Sequence, residues 1–275
     1  MLENSEAMES DLIVYVDGAR TYKQGEAEKV KSVQEYVKGI TGFKSLETHF
    51  SDVNQGLGPS LIAGINNVIS RFGKAIIVED DLICSTNFLS FLNQGLCYYQ
   101  DKKEVFSISG ETVKVKAPQN YIYDNYFAPR AGCWGWATWK DRWDSVDFEL
   151  KDWDAVKANK CRFNRWGGSD CFKLLNGWHT GKNKSWAIRF NYSQFLQGTT
   201  SVFPIVSKVS NEGFDEDGTN CKKVRYNRFA MLGDKSGKKD FIFNPDTKEF
   251  PFFVKQRMKP VRLITRIYAK IVNMF

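Results

Sequence analysis

Histidine is almost absent from this chain: His49 and His179 are the only two among 275 residues. The six cysteines (Cys84, Cys97, Cys133, Cys161, Cys171 and Cys221) are scattered, and none forms a C-x-x-C pair. A structural zinc site draws Cys and His ligands from short fixed spacings, so none is expected here. Reduced thiols are the simplest state for such cysteines. No apolar run reaches the roughly 20 residues that cross a bilayer, and no signal-peptide pattern opens the chain. Internal repeats and low-complexity linkers are missing too. These absences point to a cytoplasmic protein of one large domain or two small ones, long enough to bury a substantial core.

Aromatic residues are plentiful instead, at 15% with eight Trp. Aromatic-rich surfaces handle sugars or partner proteins, and aromatics also simply fill cores. The net charge is +7, and Lys255, Arg257, Lys259, Arg262, Arg266 and Lys270 lie in a tail with no acid after Pro251. The body is therefore close to neutral, which argues against a nucleic-acid-binding face and against nucleic acid as a partner.

The first 110 residues alternate between two hydrophobic periods. Asp11–Val16 reads as a strand ending in Asp17-Gly18. Val30, Val33, Val37 and Ile40 repeat at helical spacing over residues 26–40. A strand over residues 46–50 and the turn-rich loop Asn54-Gln-Gly-Leu-Gly-Pro59 follow, and Pro59 suits the first turn of the next helix. That helix carries Leu61, Ile62, Ile65, Val68, Ile69 and Phe72 on its buried side. Lys74-Ala-Ile-Ile-Val78 is then a short strand buried on both faces, and Glu79-Asp80-Asp81 follows directly. A helix over 87–99 and the strand Val105–Ser109 complete a β-α-β-α-β order, which predicts an α/β domain with a mainly parallel sheet flanked by helices.

Ligands of open α/β sheets sit at the carboxyl ends of the strands. Three carboxylates crowded there repel one another unless a cation joins them. Mg²⁺ or Mn²⁺ bridging to a phosphorylated substrate is the natural partner, and an acidic turn capping the helix that starts near Thr86 is the plain alternative. Beyond Gly110 the pattern changes. Residues 121–127 are aromatic and strand-like, and Pro129 to Trp143 packs four Trp into a short stretch that either walls an acceptor pocket or fills a core. Asp170, after Gly167-Gly168-Ser169, is either a helix N-cap or a general base at a helix N-terminus. Gly213-Phe-Asp-Glu-Asp-Gly218 reads as a mobile loop over the site. In the tail, Val261, Ile264, Tyr268, Ile271 and Phe275 share a helical face, with Leu263, Ile267 and Met274 beside it and Arg262, Arg266 and Lys270 on the other side. Such a helix either lies on an anionic membrane or packs on the domain with its cations solvated.

Six of these features occur in one order: Asp17-Gly18, Asn54-x-Gly-Leu, Val78-Glu-Asp-Asp-Leu, Trp134-Gly-Trp-Ala-Thr-Trp, Gly167-Gly-x-Asp170 and Asn211-x-Gly-Phe-Asp. The set, over roughly residues 1–223, resembles the nucleotide-sugar glycosyltransferases of the GT-A fold. It is most similar to bacterial family-2-like enzymes and more distantly to N-acetylglucosaminyltransferase I. The resemblance implies a GT-A domain over 1–250, its donor half 1–110 and its acceptor half 111–250, with 251–275 as a basic amphipathic helix. It implies that Asp17 and Asn54 lie at the donor, and that Glu79-Asp80-Asp81 is the DxD-type motif. Asp80 would then reach the ribose or sugar, and Asp81 would bind Mn²⁺ or Mg²⁺. Trp134 and Trp136 would line the acceptor site, and Asp170 would deprotonate the acceptor hydroxyl in an inverting transfer. The expected partners are a nucleotide-sugar donor, a glycan or lipid-linked acceptor of bacterial surface polysaccharide synthesis, and an anionic membrane at the inner face of the plasma membrane.

Two departures accompany the resemblance. The family opens with a strand and a helix, whereas ten residues precede Asp11 here. The absent strand would lie between the Ile13 strand and the Ile76 strand, so the expectation is a short, misassigned or degraded start. Asn220-Cys221 stands where relatives carry His-Cys. A non-catalytic pseudo-glycosyltransferase that binds or scaffolds is the second reading. A sugar nucleotidyltransferase, the third, wants a Gly-rich basic loop after its first strand, and none is visible.

Overall fold

A computed structural model describes residues 1–213, 226–229, 231 and 233–274. The loop beyond Gly213, Asn220-Cys221 and Phe275 therefore lie outside the described residues. In chain order come β1 (Asp11–Val16), α1 (Glu26–Lys38), β2 (Ser45–Phe50), α2 (Leu57–Phe72), β3 (Lys74–Ile77), β4 (Leu82–Cys84), α3 (Phe88–Tyr98) and β5 (Val105–Ser109). They are followed by β6 (Asn125–Ala128), β7 (Trp136–Trp139), α4 (Lys140–Asp144), α5 (Trp153–Ala158), α6 (Lys160–Gly167), α7 (Cys171–His179) and α8 (Ala187–Gln197). β8 (Thr200–Pro204), β9 (Val209–Asn211), α9 (Pro251–Arg257) and α10 (Leu263–Val272) complete the order.

The elements of the first 110 residues form where periodicity predicts them. α2 starts after Gly56, carries Pro59 in its first turn, and stops at Gly73. Gly73 takes φ 73°, a left-handed value that costs a residue without Cβ nothing, and its N–H bonds to Ile69 O at 2.8 Å.

The main sheet has the order β3-β7-β5-β8-β6. It corrects the expected mainly parallel arrangement, because it is mixed. β5 and β8 are parallel, whereas β7 runs antiparallel between β3 and β5, and β6 runs antiparallel to β8. The Trp-rich stretch supplies β7, with Trp136 opposite Ile77. A strand that returns into the middle of the sheet is invisible to the βαβ alternation on which the parallel expectation rested. β3 and β5, both antiparallel to β7, point the same way.

β1 pairs in parallel with β2 in a separate two-stranded sheet, so β1 and β3 are not hydrogen-bonded to each other. α2 packs on both. Leu12, Ile13, Val14, Tyr15 and Val16 remain half-buried despite their apolar character.

One core lies between α3 and the sheet, built on Phe88, Phe91, Leu92, Leu96, Tyr99 and Ile108. A second joins α2 to the sheet through Ile65, Ile69, Trp136, Trp143, Trp186 and Phe190. The tail is not one helix. Pro260 sits in a short 3-10 turn, Lys259–Val261, that separates α9 from α10, as expected of a residue that lacks an N–H and disfavours helix before it. α9 belongs to the body: Phe253 is fully buried with Tyr126, Ala128 and Phe203. Among the described residues no helix is long and apolar enough to cross a membrane.

Candidate functional site

Asp17 ends β1 and closes a clasp. Its Oδ1 accepts from the N–H groups of Gly18 and Gln55, both at 2.9 Å. Its Oδ2 accepts from Gly56 N at 2.8 Å and from Asn54 Nδ2 at 3.1 Å. Asn54 Nδ2 also bonds Gly18 O at 2.8 Å. A Cβ on residue 18 would stand 2.4 Å from Val53 C, so only glycine lets the two loops meet. Asp17 thus spends its acceptor capacity on the loop that starts α2.

The acidic triplet follows β3. Asp80 is exposed, whereas Glu79 and Asp81 are half-buried. Burial, together with the charges of Asp81 and Asp80, pushes the Glu79 carboxyl up to about 7. Burial and then Asp80 raise Asp81 as well. Asp81 Oδ2 accepts from Asn211 Nδ2 at 3.3 Å, its O accepts from Glu212 N at 2.9 Å, and β4 pairs with β9 beside it. Among the described residues, Asp81 Oδ1 is buried with no hydrogen-bond partner.

A second set of charges continues from this end of the sheet. Glu111 lies just past β5 and is buried, and Arg257 of α9 donates to its Oε1 at 3.1 Å. Burial raises the Glu111 carboxyl, with Arg257 and Arg130 opposing. A Cβ on residue 132 would come 2.3 Å from Glu111 Oε1, so the backbone at Gly132 presses on this carboxylate. Cys133 is the meeting point. Its thiol is pushed up by burial, then by Glu79 and Glu111, against Arg130 and Arg257.

Arg130 carries the chain of charge on to Asp170. Its Nη1 donates to Asp170 Oδ1 at 2.7 Å and to Gly167 O at 2.8 Å, and its Nη2 donates to Asp170 Oδ2 at 3.2 Å. Asp170 stands at the N-cap of α7 but makes no capping bond. Burial alone would raise its carboxyl, yet Arg130, helped by Arg266, holds it below the usual carboxylate range.

Trp134 is half-buried and meets Phe229 edge-on, with ring centroids 6.0 Å apart. Trp136 is corrected: it is a core residue, 0% exposed, stacked on Trp186 at 5.3 Å and packed on Phe190 at 5.0 Å. Trp186, Phe190 and Trp143 cover its ring on the sheet face, which leaves it no exposed surface for an acceptor. Sequence reasoning missed Glu111, Arg130 and Arg257. Glu111 was findable by the rule that singled out the triplet, since it too follows a buried strand in chain order. Arg130 and Arg257 carry no local signal.

The donor set suits a hard cation in part. Asp81 offers a buried carboxylate oxygen without a partner, the kind of ligand Mg²⁺ and Mn²⁺ take. Among the described residues no group of three His, Cys, Asp or Glu is gathered to hold a metal by itself, so further ligands would have to come from elsewhere, such as a bound diphosphate. No family model matches the chain, and a search of curated proteins finds no match.

Proposed function

We propose that the chain is a GT-A-type glycosyltransferase that moves a sugar from a nucleoside diphosphate donor to a glycan or lipid-linked acceptor. The observation that carries this reading is the unpartnered Oδ1 of Asp81, in an acidic triplet at the carboxyl end of β3. Asp17 acts by holding Asn54 and the loop ahead of α2, which walls the donor pocket. Asp80, exposed, reaches the ribose or sugar. Asp81, with the donor diphosphate, would hold Mn²⁺ or Mg²⁺, which would neutralise charge on the leaving nucleoside diphosphate. Asp170 takes the acceptor's proton as its oxygen attacks the anomeric carbon, the bond to the leaving phosphate oxygen breaks, and the configuration inverts. Arg130 donates once to each carboxylate oxygen of Asp170, so the acceptor hydroxyl donates to one of the remaining lone pairs.

Titration calorimetry of Mn²⁺ with and without UDP or GDP tests the site. Tight binding is expected only with nucleotide, and not in Asp81→Ala. Tight binding of Mn²⁺ alone, or an Asp81→Ala variant that behaves as wild type, refutes the assignment. Asp170→Asn is expected to lower kcat by about 10²–10⁴-fold and to leave donor affinity intact. Near-normal turnover would make Asp170 purely structural.

The Arg130–Asp170 pair also favours a second reading, a binding subunit without catalysis, because a paired carboxylate of depressed pKa is a poor base. Nucleotide binding with neither transfer nor donor hydrolysis would support it.

A further inference from the structure

A surface helix normally turns its apolar side inward. α10 does the reverse. Leu263, Ile264, Ile267, Tyr268, Ile271 and Met274 are all exposed, from 50% at Ile267 to 82% at Ile264. At 100° per residue the five within α10 fall within an arc of about 140°, and Met274 follows the helix end. The opposite arc is the covered one: Ala269 is buried, Thr265 and Val272 are half-buried, and Arg266 Nη1 donates to Ser169 Oγ at 2.8 Å. Thus the helix does pack on the domain, but through its small and polar side.

The charge around the stripe has one sign. Arg257 is engaged by Glu111 and Arg266 by Ser169, whereas Lys255, Lys259, Arg262 and Lys270 are exposed. No acid occurs after Pro251. A groove of about 370 Å³ opens at the N-terminal end of α10, lined among others by Arg165, Trp166, Lys255, Met258, Arg262 and Leu263. It combines cations with apolar walls, which suits an anionic headgroup attached to an acyl chain.

We infer that α10 and this groove form a docking surface for an anionic lipid bilayer. The apolar stripe enters the boundary between headgroups and acyl chains, and the exposed cations meet the negative surface. The body is oriented by the same contact. Ser169 N and Oγ both donate to Val261 O, at 3.3 and 3.0 Å, and the Val261 side chain fills the space above Gly168. The Gly168–Asp170 loop therefore lies against the side of α10 opposite the stripe, with the helix between it and the bilayer. The surface stands on α10's own geometry and charge, and its test is independent of sugar transfer.

Full-length protein is sedimented with phosphatidylcholine vesicles, with and without phosphatidylglycerol. Binding is expected to the anionic vesicles only, and to weaken with added salt. Because the stripe faces outward, the double change Ile264→Glu and Ile267→Glu should leave the melting midpoint unchanged and lower the bound fraction about tenfold or more. Equal binding to neutral vesicles, absence of binding to either, or full binding by the folded double variant overturns the inference. So does a concentration-dependent dimer in vesicle-free buffer that the double change abolishes, since the stripe would then be covered by a second copy.

Discussion

Among the described residues, Arg130 is one of two non-glycine residues at positive φ, at 59°, in a region that costs an L side chain free energy and persists only where surroundings enforce it. The enforcing partners are Asp170 and the carbonyl of Gly167. With both side chains largely covered, removing one partner leaves a buried charge alone, which typically costs about 3–5 kcal/mol. Arg130→Met and Asp170→Asn are each expected to destabilise, and the double variant by less than the sum, as read by urea denaturation. The pH dependence has a definite sign. The folded pKa of Asp170 lies below its ordinary 3.8, so its contribution is fully present above that value and is lost as pH falls through the depressed one. The deficit of Arg130→Met should therefore shrink in acid below about 3.8. A deficit independent of pH would mean that the ion pair is not its source.

At the level of elements, the two tail helices have opposite energetics. Phe253 of α9 is fully buried, with its ring 4.7 Å from Tyr126 and 4.8 Å from Tyr121. Phe253→Ala is expected to cost about 3–5 kcal/mol, the usual penalty for a buried aromatic, because it opens a cavity beside β6. The same truncation at Ile264 of α10 should change stability by no more than about 0.5 kcal/mol. Comparable losses at both sites, by thermal or urea melts, would mean that α10's outward stripe is covered. Helical periodicity finds an amphipathic stripe in either case. Which side of α10 meets the domain is decided by Ser169, which bonds Arg266, a residue that no window around α10 contains.

For the molecule as a whole, the division of the strands is the main structural fact. β1 and β2 pair only with each other, while β3 joins the five-stranded sheet. β1 and β3 each keep an edge unpaired among the described residues, and such edges are where a sheet opens first. Amides of β1 are therefore expected to exchange with solvent faster than those of β5, whose residues are all buried between β7 and β8, and a strand fused ahead of Met1 that pairs with these edges should raise the melting midpoint. Equal protection of β1 and β5, with no gain from the added strand, would show that the β1 edge is already satisfied.

Local pattern by itself determined much of the first 110 residues. The alternation of strand and helix, Pro59 in the first turn of α2, and the acids placed directly after a short apolar strand all depend on neighbours a few residues apart. Hence α1, α2, α3, β1 and β5 lie where periodicity puts them, as does the triplet. Tertiary structure alone decided the rest. The direction of β7 depends on which strands close around it, and the burial of Trp136 on Trp186 and Phe190 packed over its face. The carboxylates of Glu111 and Asp170 are set by arginines 146 and 40 residues away in the chain. A charge's environment is made by what the fold brings near it, and chain separations of that size leave no trace in local spacing.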